Sequence, residues 1–207
     1  MQTTNHHTSQ TWQPRNGAGE AHAQRLAALT DRLESRDGYA SDHTTAVSLL
    51  AVAIGRELGL RKDELAAVEL GALLHDVGKL EVPEKILNKP AALTRLEWRK
   101  MRRHVEWGER LLHRLVDMPA VLAVVRWHHE RWDGGGYPDG KRGEQIPLAA
   151  RIVAVADAFQ AIIEERPYRG GRTEEDALAE IRRHAGSQFD PKCVEALRHV
   201  VGDPVAH

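Results

Sequence analysis

Apolar side chains recur every three or four positions along most of the chain, from about residue 20 onward. Leu26, Leu29 and Leu33 form one such stripe, and the same period continues through 43–58 and 63–77. Gly59 and Gly78 are predicted to end these last two helices. Because no stretch alternates with period two, the pattern predicts an all-α fold, a single globular helical bundle of about seven to nine helices.

Residues that favour the first turn of a helix mark the starts of the remaining predicted helices. These residues are Thr94, Pro119, Pro147, Thr173 and Asp190. The helix from Thr94 is predicted to run through Leu112, and the helix from Pro119 to about His129. Two loops interrupt the helical pattern, 131–140 with four glycines and a proline, and 165–171 with two arginines.

The first 19 residues are polar and are predicted to be a disordered lead, followed by one domain over residues 20–207. The longest apolar run, 152–163, is interrupted by Asp157 and is too short to span a bilayer. No basic flank precedes an apolar stretch at the N-terminus, so no signal peptide is expected. With Cys193 as its single cysteine, the chain is typical of a reducing compartment, and we expect a cytoplasmic protein.

The charge is nearly balanced, with 29 Lys and Arg against 30 Asp and Glu. A net charge of -1 argues against a protein that coats a nucleic acid polymer or an anionic membrane. Any anion that the protein binds must therefore be met by a local cluster of positive groups.

Twelve histidines are the compositional anomaly, and several follow apolar helices. His75-Asp76 ends one such helix and His128-His129 ends another, whereas Asp157 interrupts the apolar run 152–163. A carboxylate on an apolar helix needs a cationic or metal partner. Imidazole and carboxylate ligands suit zinc, iron or manganese.

Two further histidines, His43 and His104, lie in helical segments with apolar flanks and could reach the same centre. A single helical histidine is more often a hydrogen-bonded or surface residue, and Asp157 could equally pair with an arginine. The combination of four such segments favours a metal centre. His22, His113, His184 and His199 have polar or basic neighbours and are interpreted as surface residues.

Three motifs resemble the HD-GYP domain, a subgroup of the HD phosphohydrolases. They are His75-Asp-Val-Gly-Lys79, Ile86-Leu-Asn-Lys-Pro90 and the stretch 128–140, which contains Gly136-Tyr137-Pro138. The similarity continues to about residue 200 through Arg166-Pro-Tyr-Arg169 and Gln188-Phe-Asp-Pro191. The long glycine-rich motif is far more specific than the His-Asp pair alone.

The resemblance implies a centre of two divalent metal ions per chain, iron or manganese, with zinc, nickel or magnesium as substitutes. The first metal would be held by His43, His75, Asp76 and Asp157. The second would be held by Asp76, His104, His128 and His129. These are the same seven positions that the residue pattern singles out.

The resemblance also implies the reaction, hydrolysis of cyclic di-GMP to linear pGpG, and on to GMP in some members, by a hydroxide that bridges the metals. Asp76 and Lys79 would be the catalytic residues. The substrate would be bound by Lys79, Gly136, Tyr137, Arg166 and Arg169. Without the resemblance, the two arginines would be interpreted as part of a solvated turn.

Several positions depart from the family pattern. Tyr39 replaces a glutamate that holds a third metal in some members, so two metals are predicted. Gln160 replaces an aspartate beside the site, Ala46 replaces an arginine, and Ile163-Glu164 replaces a Thr-Ser pair. Gln160 and the acidic Glu164-Glu165 pair leave open two alternatives, a receptor that binds the dinucleotide or a signalling partner without useful turnover, and a hydrolase of another nucleotide.

Only about 20–35 residues precede the domain, so no receiver domain is expected in front of it. Regulation would then come from a partner, from oligomerisation or from metal supply. The resemblance gives the Gly136-Tyr137-Pro138 loop as a contact surface for a signalling protein.

Overall fold

The structure is a computed structural model that describes residues 17–36, 40–164 and 172–202. In these ranges it has α1 (Gly17–Arg36), α2 (Ala40–Glu57), α3 (Lys62–Leu74), α4 (Glu84–Leu87), α5 (Arg95–Arg102), α6 (His104–Leu112), α7 (Pro119–Trp127), α8 (Leu148–Ile163), α9 (Glu174–Arg183) and α10 (Pro191–Gly202). Two 3₁₀ segments, Val77–Glu81 and Gly143–Gln145, lie between helices. The described ranges contain no β-strand, so the prediction of an all-α fold is confirmed; nine of the helices have eight or more residues, and α4 is a single turn.

Residues 1–16 of the predicted disordered lead lie outside the described residues, whereas residues 17–19 belong to α1. Also outside are residues 37–39 and 165–171, which include Tyr39, Arg166 and Arg169. No helix in the described part of the chain combines the length and apolar character needed to cross a membrane.

Two clusters of buried apolar side chains form the core. The larger cluster joins α2, α8, α9 and α10 through residues such as Ile54, Phe159 and Leu197. The smaller cluster is built around Leu74 and Val125. Helices α3 and α7 contribute side chains to both clusters and therefore lie between them. Packing on both sides fixes the position of the C-terminal ends of these two helices. Each fully buried Leu, Ile or Phe side chain contributes roughly 1.5–3 kcal/mol to this arrangement.

The helix predicted over 63–77 ends earlier than expected. Helix α3 stops at Leu74, and Gly78, which the sequence pattern predicts to end the helix, lies inside the following 3₁₀ segment. A Cβ at Gly78 would lie 1.8 Å from the carbonyl oxygen of His104 and 2.4 Å from the backbone nitrogen of Gly108. The glycine is therefore required because the 3₁₀ segment contacts the backbone of α6 directly.

The single helix predicted from Thr94 to Leu112 is two helices, α5 and α6, separated at Arg103. The predicted start is confirmed, because the Thr94 hydroxyl accepts from the Glu97 amide and the Glu97 carboxylate accepts from the Thr94 amide. At the break, the Arg103 amide donates to the carbonyls of Lys100 and Met101. The break turns the chain so that His104, the first residue of α6, is buried in the interior.

Candidate metal centre

The seven predicted metal ligands come together at the meeting point of five helices. His43 lies on α2 and Asp157 on α8, and His104 begins α6. His75-Asp76 follows α3 and His128-His129 follows α7. The side chains form two neighbouring groups. Within each group the potential ligand atoms lie within 4.8 Å of one another.

The first group consists of His43, His75 and Asp157. His43 Nε2 lies 3.1 Å from Asp157 Oδ1, and His75 Nε2 lies 3.9 Å from the same oxygen. The half-buried position of Asp157 on an apolar helix is thus explained by two imidazoles. The predicted alternative of an arginine partner is not what the described residues show.

The second group consists of Asp76, His104, His128 and His129. His104 Nε2 lies 3.3 Å from Asp76 Oδ1 and 3.5 Å from His128 Nε2. The rings of His128 and His129 are 4.0 Å apart between centroids. Three imidazoles and a carboxylate therefore lie close enough together to coordinate one metal ion.

Asp76 lies between the two groups. Its Oδ2 is 3.3 Å from His75 Nε2, whereas its Oδ1 faces His104 of the second group. One carboxylate therefore presents one oxygen to each group. This is the arrangement expected of a ligand shared by two cations.

Hydrogen bonds at the helix ends hold the rings in one orientation. His75 Nδ1 donates to the carbonyl of Ala72, and His104 Nδ1 donates to the carbonyl of Met101. His128 Nδ1 contacts two carbonyls near the end of α7 in the same way. Carbonyls in the last turn of a helix have few or no partners within the helix and can accept such bonds, alone or shared with a backbone amide. When such a ring is neutral, with its proton on Nδ1, the Nε2 atom is left as a lone-pair donor toward the centre.

His75 Nε2 supplies a direct test of whether a cation fits here. The atom is completely buried, and although Asp76 Oδ2 lies 3.3 Å away, it makes no hydrogen bond of acceptable geometry among the described residues. A buried polar atom without a partner costs free energy, and coordination to a metal ion would satisfy it. The donor set of imidazoles and carboxylates fits a divalent transition metal.

Burial and neighbouring charges shift the pKa values of the histidines in the centre in two different directions. Burial lowers the pKa of His75, but the Asp76 carboxylate outweighs it and raises the pKa to about 9. Burial, reinforced by the neighbouring His104, lowers the pKa of His129 to about 3. His128 also has a pKa well below the ordinary value, because it is buried next to His129. Both rings of the pair are thus neutral at neutral pH, which is the form that binds metal.

The carboxylates keep their negative charge. Burial alone would raise the pKa of Asp76, but Lys79 and His75 hold it well below its usual range. The Lys79 amine lies 2.7 Å from Asp76 Oδ2, so the predicted catalytic lysine contacts the centre directly. Burial would raise the pKa of Asp157, but the hydrogen bond from His43 and the charges of His75 and His43 together lower it.

Tyr137 and Gly136, two predicted substrate contacts, lie in the glycine-rich loop beside the second group. The Tyr137 ring stacks on the His129 ring with centroids 4.9 Å apart. A Cβ at Gly136 would lie 2.4 Å from the backbone nitrogen of Arg131, so glycine lets the loop fold back on its own start. The predicted phosphate-binding residues Arg166 and Arg169 lie outside the described residues.

Two acidic residues near the centre have roles that the sequence analysis missed. Glu164 accepts a 2.6 Å hydrogen bond from His43 Nδ1, although its position in the sequence indicated only a departure from the family pattern. Buried Glu130 accepts from the amide of Asp139 and holds the two ends of the glycine-rich loop together. An acidic residue immediately after His128-His129 was the available signal for Glu130. Glu164 had no local signal, because its partner is 121 positions away.

Comparison with known proteins agrees with this geometry. The HD domain family matches residues 27–193. The chain is 42% identical over 186 residues to the cyclic di-GMP phosphodiesterase response regulator RpfG of Xanthomonas campestris pv. campestris, covering 88% of this chain and 49% of that protein. It is 36% identical over 171 residues to 3'3'-cGAMP-specific phosphodiesterase 2 of Vibrio cholerae, covering 82% of this chain and 33% of that protein.

Among solved structures, the cyclic GMP-AMP-specific phosphodiesterase V-cGAP3 of V. cholerae superposes with a TM-score of 0.70 at 24% identity. The match covers 88% of this chain and 49% of that one, and at this identity it shows the fold alone. The chain spans between a third and a half of the length of the curated relatives described above. The family match over most of the chain, together with the glycine-rich motif around Gly136-Tyr137-Pro138, leads to one conclusion: this chain belongs to the HD domain family and is of the HD-GYP type.

Proposed function

We propose that this domain is a metal-dependent phosphodiesterase that hydrolyses cyclic di-GMP to linear pGpG. The observation that carries the proposal is the shared carboxylate, Asp76, placed between two groups of imidazole and carboxylate ligands. Such a pair of sites suits hydrolysis of a phosphodiester, which needs both an activated water and stabilisation of the departing oxygen.

The HD domain family implies binding of divalent metal, and we propose two ions, iron or manganese, in this centre. The first would be held by His43, His75, Asp76 and Asp157. The second would be held by Asp76, His104, His128 and His129. When bound, two such cations supply Lewis acidity that makes water a nucleophile near neutral pH.

Residues around the centre would orient the substrate. Lys79 brings a positive charge to the edge of the centre, where it would stabilise charge that builds on a phosphate oxygen. Tyr137 would line the substrate pocket beside Gly136, and Arg166 and Arg169 would bind phosphate oxygens through their guanidinium groups. The same Gly136-Tyr137-Pro138 loop is our candidate surface for a signalling partner.

The names of the relatives support a cyclic dinucleotide as the substrate class. They are compatible with two substrates of that class. RpfG is a cyclic di-GMP phosphodiesterase, whereas the V. cholerae relative is specific for 3'3'-cGAMP. Hydrolysis of 3'3'-cGAMP is therefore the second candidate function. The metal chemistry is the same for both, because the two substrates differ in one base.

The test is an anaerobic incubation of the purified, metal-analysed protein with each dinucleotide, with and without Mn(II) or Fe(II). Products are separated by chromatography. We expect linear pGpG from cyclic di-GMP, and about two metal ions per chain in the active preparation. Cleavage of 3'3'-cGAMP alone would establish the second candidate instead. Intact dinucleotides in protein that holds both metals would overturn the enzymatic proposal, and tight binding without turnover would then establish a receptor.

Replacement of Glu164 by glutamine is expected to weaken binding of one of the two metal ions by about 10- to 100-fold. Burial lowers the pKa of His43, but Asp157 and Glu164 raise it above the ordinary value, so the ring is made more basic by its carboxylate partners. Glutamine keeps an acceptor for Nδ1 and removes the charge. The measurement is titration of metal-free protein with Mn(II) by calorimetry.

A matched control is Glu57→Gln, because Glu57 makes the same kind of hydrogen bond, 2.8 Å long, to His199 on the surface. This control is expected to leave both metal affinities unchanged. Equal Mn(II) affinities for Glu164→Gln and the unaltered protein would show that Glu164 does not tune the centre.

A further inference from the structure

Helix α5 is unusual because none of its residues is buried. Its side chains Arg95, Trp98, Arg99 and Arg102 have the spacing i, i+3, i+4 and i+7, so they lie on one face. Trp98 is 49% exposed, so part of its indole ring is available as a contact surface. The helix is ordered by its Thr94 cap and by the Lys89–Glu97 ion pair.

These four side chains line a surface groove of about 560 Å³. The volume lies within the usual range for small-molecule sites, roughly 300–1,000 Å³. Among the described residues, the lining combines one aromatic face with three guanidinium groups. This composition is typical of a site that takes a planar base and an anionic group together.

The groove is also the local positive cluster that a nearly neutral protein needs in order to bind an anion. Five of the nine residues 95–103 are basic and one is acidic. The carboxylate of that single acidic residue, Glu97, accepts hydrogen bonds from the Lys89 amine and from the Thr94 amide at the start of the helix. Among the described residues, Arg95, Arg99 and Arg102 have no carboxylate within ion-pair distance, whereas Arg126, Arg131 and Arg151 are each paired.

The groove adjoins the metal centre through two ring contacts. The Arg102 guanidinium carbon lies 4.9 Å from the centre of the Tyr137 ring. The Tyr137 ring in turn stacks on His129 of the second ligand group. The Tyr137 ring therefore lies between the Arg102 end of the groove and the second ligand group.

We propose that this groove binds the half of the cyclic dinucleotide that is remote from the bond being cleaved. The inference rests on the proposed function, because it concerns the same substrate. A cyclic dinucleotide has two phosphodiesters and two bases, and the metal centre takes one phosphodiester. Trp98 stacks on the base of the remote nucleotide, and Arg95 and Arg99 bind the second phosphate. Arg102 joins the groove to the Tyr137 ring.

The test compares Trp98→Ala and the double variant Arg95→Ala/Arg99→Ala with the unaltered protein. The altered side chains are exposed, so the fold does not depend on them. We expect KM for cyclic di-GMP to rise about tenfold or more in both variants, since each removes a stacking or charge-assisted contact. The same variants should lose affinity for a hydrolysis-resistant phosphorothioate analogue of cyclic di-GMP, measured by calorimetry.

Two controls make the result specific. Arg110→Ala removes an exposed arginine of α6 that lies outside the groove, and it is expected to leave KM unchanged. Bis(p-nitrophenyl) phosphate is a diester without a base or a second phosphate. The ratio of kcat/KM for cyclic di-GMP to kcat/KM for this small diester should therefore fall about tenfold or more in the groove variants.

An unchanged KM and an unchanged ratio in both groove variants would overturn the groove proposal and leave the phosphodiesterase in place. The same holds if the variants change only the oligomeric state, because the face would then be an interface between copies of the chain. If the unaltered protein hydrolyses no cyclic dinucleotide, the proposed function fails. The affinity for the phosphorothioate analogue then tests the groove proposal independently of turnover. Weaker analogue binding in the variants supports the groove, and equal or absent binding overturns it.

Discussion

Replacement of Asp76 by alanine is expected to remove metal from both ligand groups and to lower hydrolysis at least about a thousandfold, or ~4 kcal/mol of barrier. The reason is that this single carboxylate faces both groups, with Oδ2 at 3.3 Å from His75 Nε2 and Oδ1 at 3.3 Å from His104 Nε2. Loss of an ordinary ligand would weaken one site, whereas loss of Asp76 weakens both. Metal content is measured by mass spectrometry of the desalted protein, alongside the rate of dinucleotide cleavage.

A second variant, Asp76→Asn, protects the result against misfolding because it keeps the shape of the side chain and removes its charge. The control is Asp63→Ala at the exposed start of α3, which should retain both the metal and the rate. Circular dichroism confirms that the helices form in every variant. A folded Asp76→Ala protein with the metal content and rate of the unaltered chain would refute the shared-ligand arrangement.

Replacement of Gly78 by alanine is expected to destabilise the protein by about 3 kcal/mol, near the upper end of the usual range for overpacking. The added Cβ would lie 1.8 Å from the carbonyl oxygen of His104 and 2.4 Å from the Gly108 nitrogen, and backbone atoms cannot rotate away. For a chain of this length the melting temperature should fall by roughly 6–12 °C. Metal affinity should fall too, because the displaced segment carries Lys79 and follows Asp76.

Gly202→Ala is the matched control for this substitution. The added Cβ there would lie 3.8 Å from Arg198 and 4.0 Å from Leu178, which are ordinary contacts, and alanine favours the helix. Its melting temperature should equal or exceed that of the unaltered protein. A Gly78→Ala melting temperature within 1 °C of the unaltered value, measured by calorimetry, would be inconsistent with the close contact between the 3₁₀ segment and α6.

Local pattern was sufficient to predict the all-α class and to single out the candidate ligand residues. The apolar period predicts the all-α class because one face of each helix must be buried. Histidines and aspartates at the ends of apolar helices stand out as ligand candidates, since such groups are costly to bury without partners. All seven candidates lie in the two groups that the structure brings together.

Local pattern was not sufficient where a contact between segments distant in the sequence determines where a helix ends or which residue is required. The chain breaks at Arg103 although the apolar period continues, because the break lets His104 enter the interior. Gly78 resembles a helix stop in the sequence, and only its contact with α6 shows that it serves close packing. Glu164 is likewise an ordinary surface-type residue until the structure places it against His43.

The sequence by itself therefore determined the all-α class and the candidate donor residues, since both follow from spacing along one helix. Only the tertiary structure decided which donors meet. His43 and Asp157 are 114 positions apart and come within 3.1 Å because α2 packs against α8. The position of Asp76 between the groups, and of the arginine-rich face of α5 beside Tyr137, likewise depends on how helices pack, because packing joins segments that the chain keeps far apart.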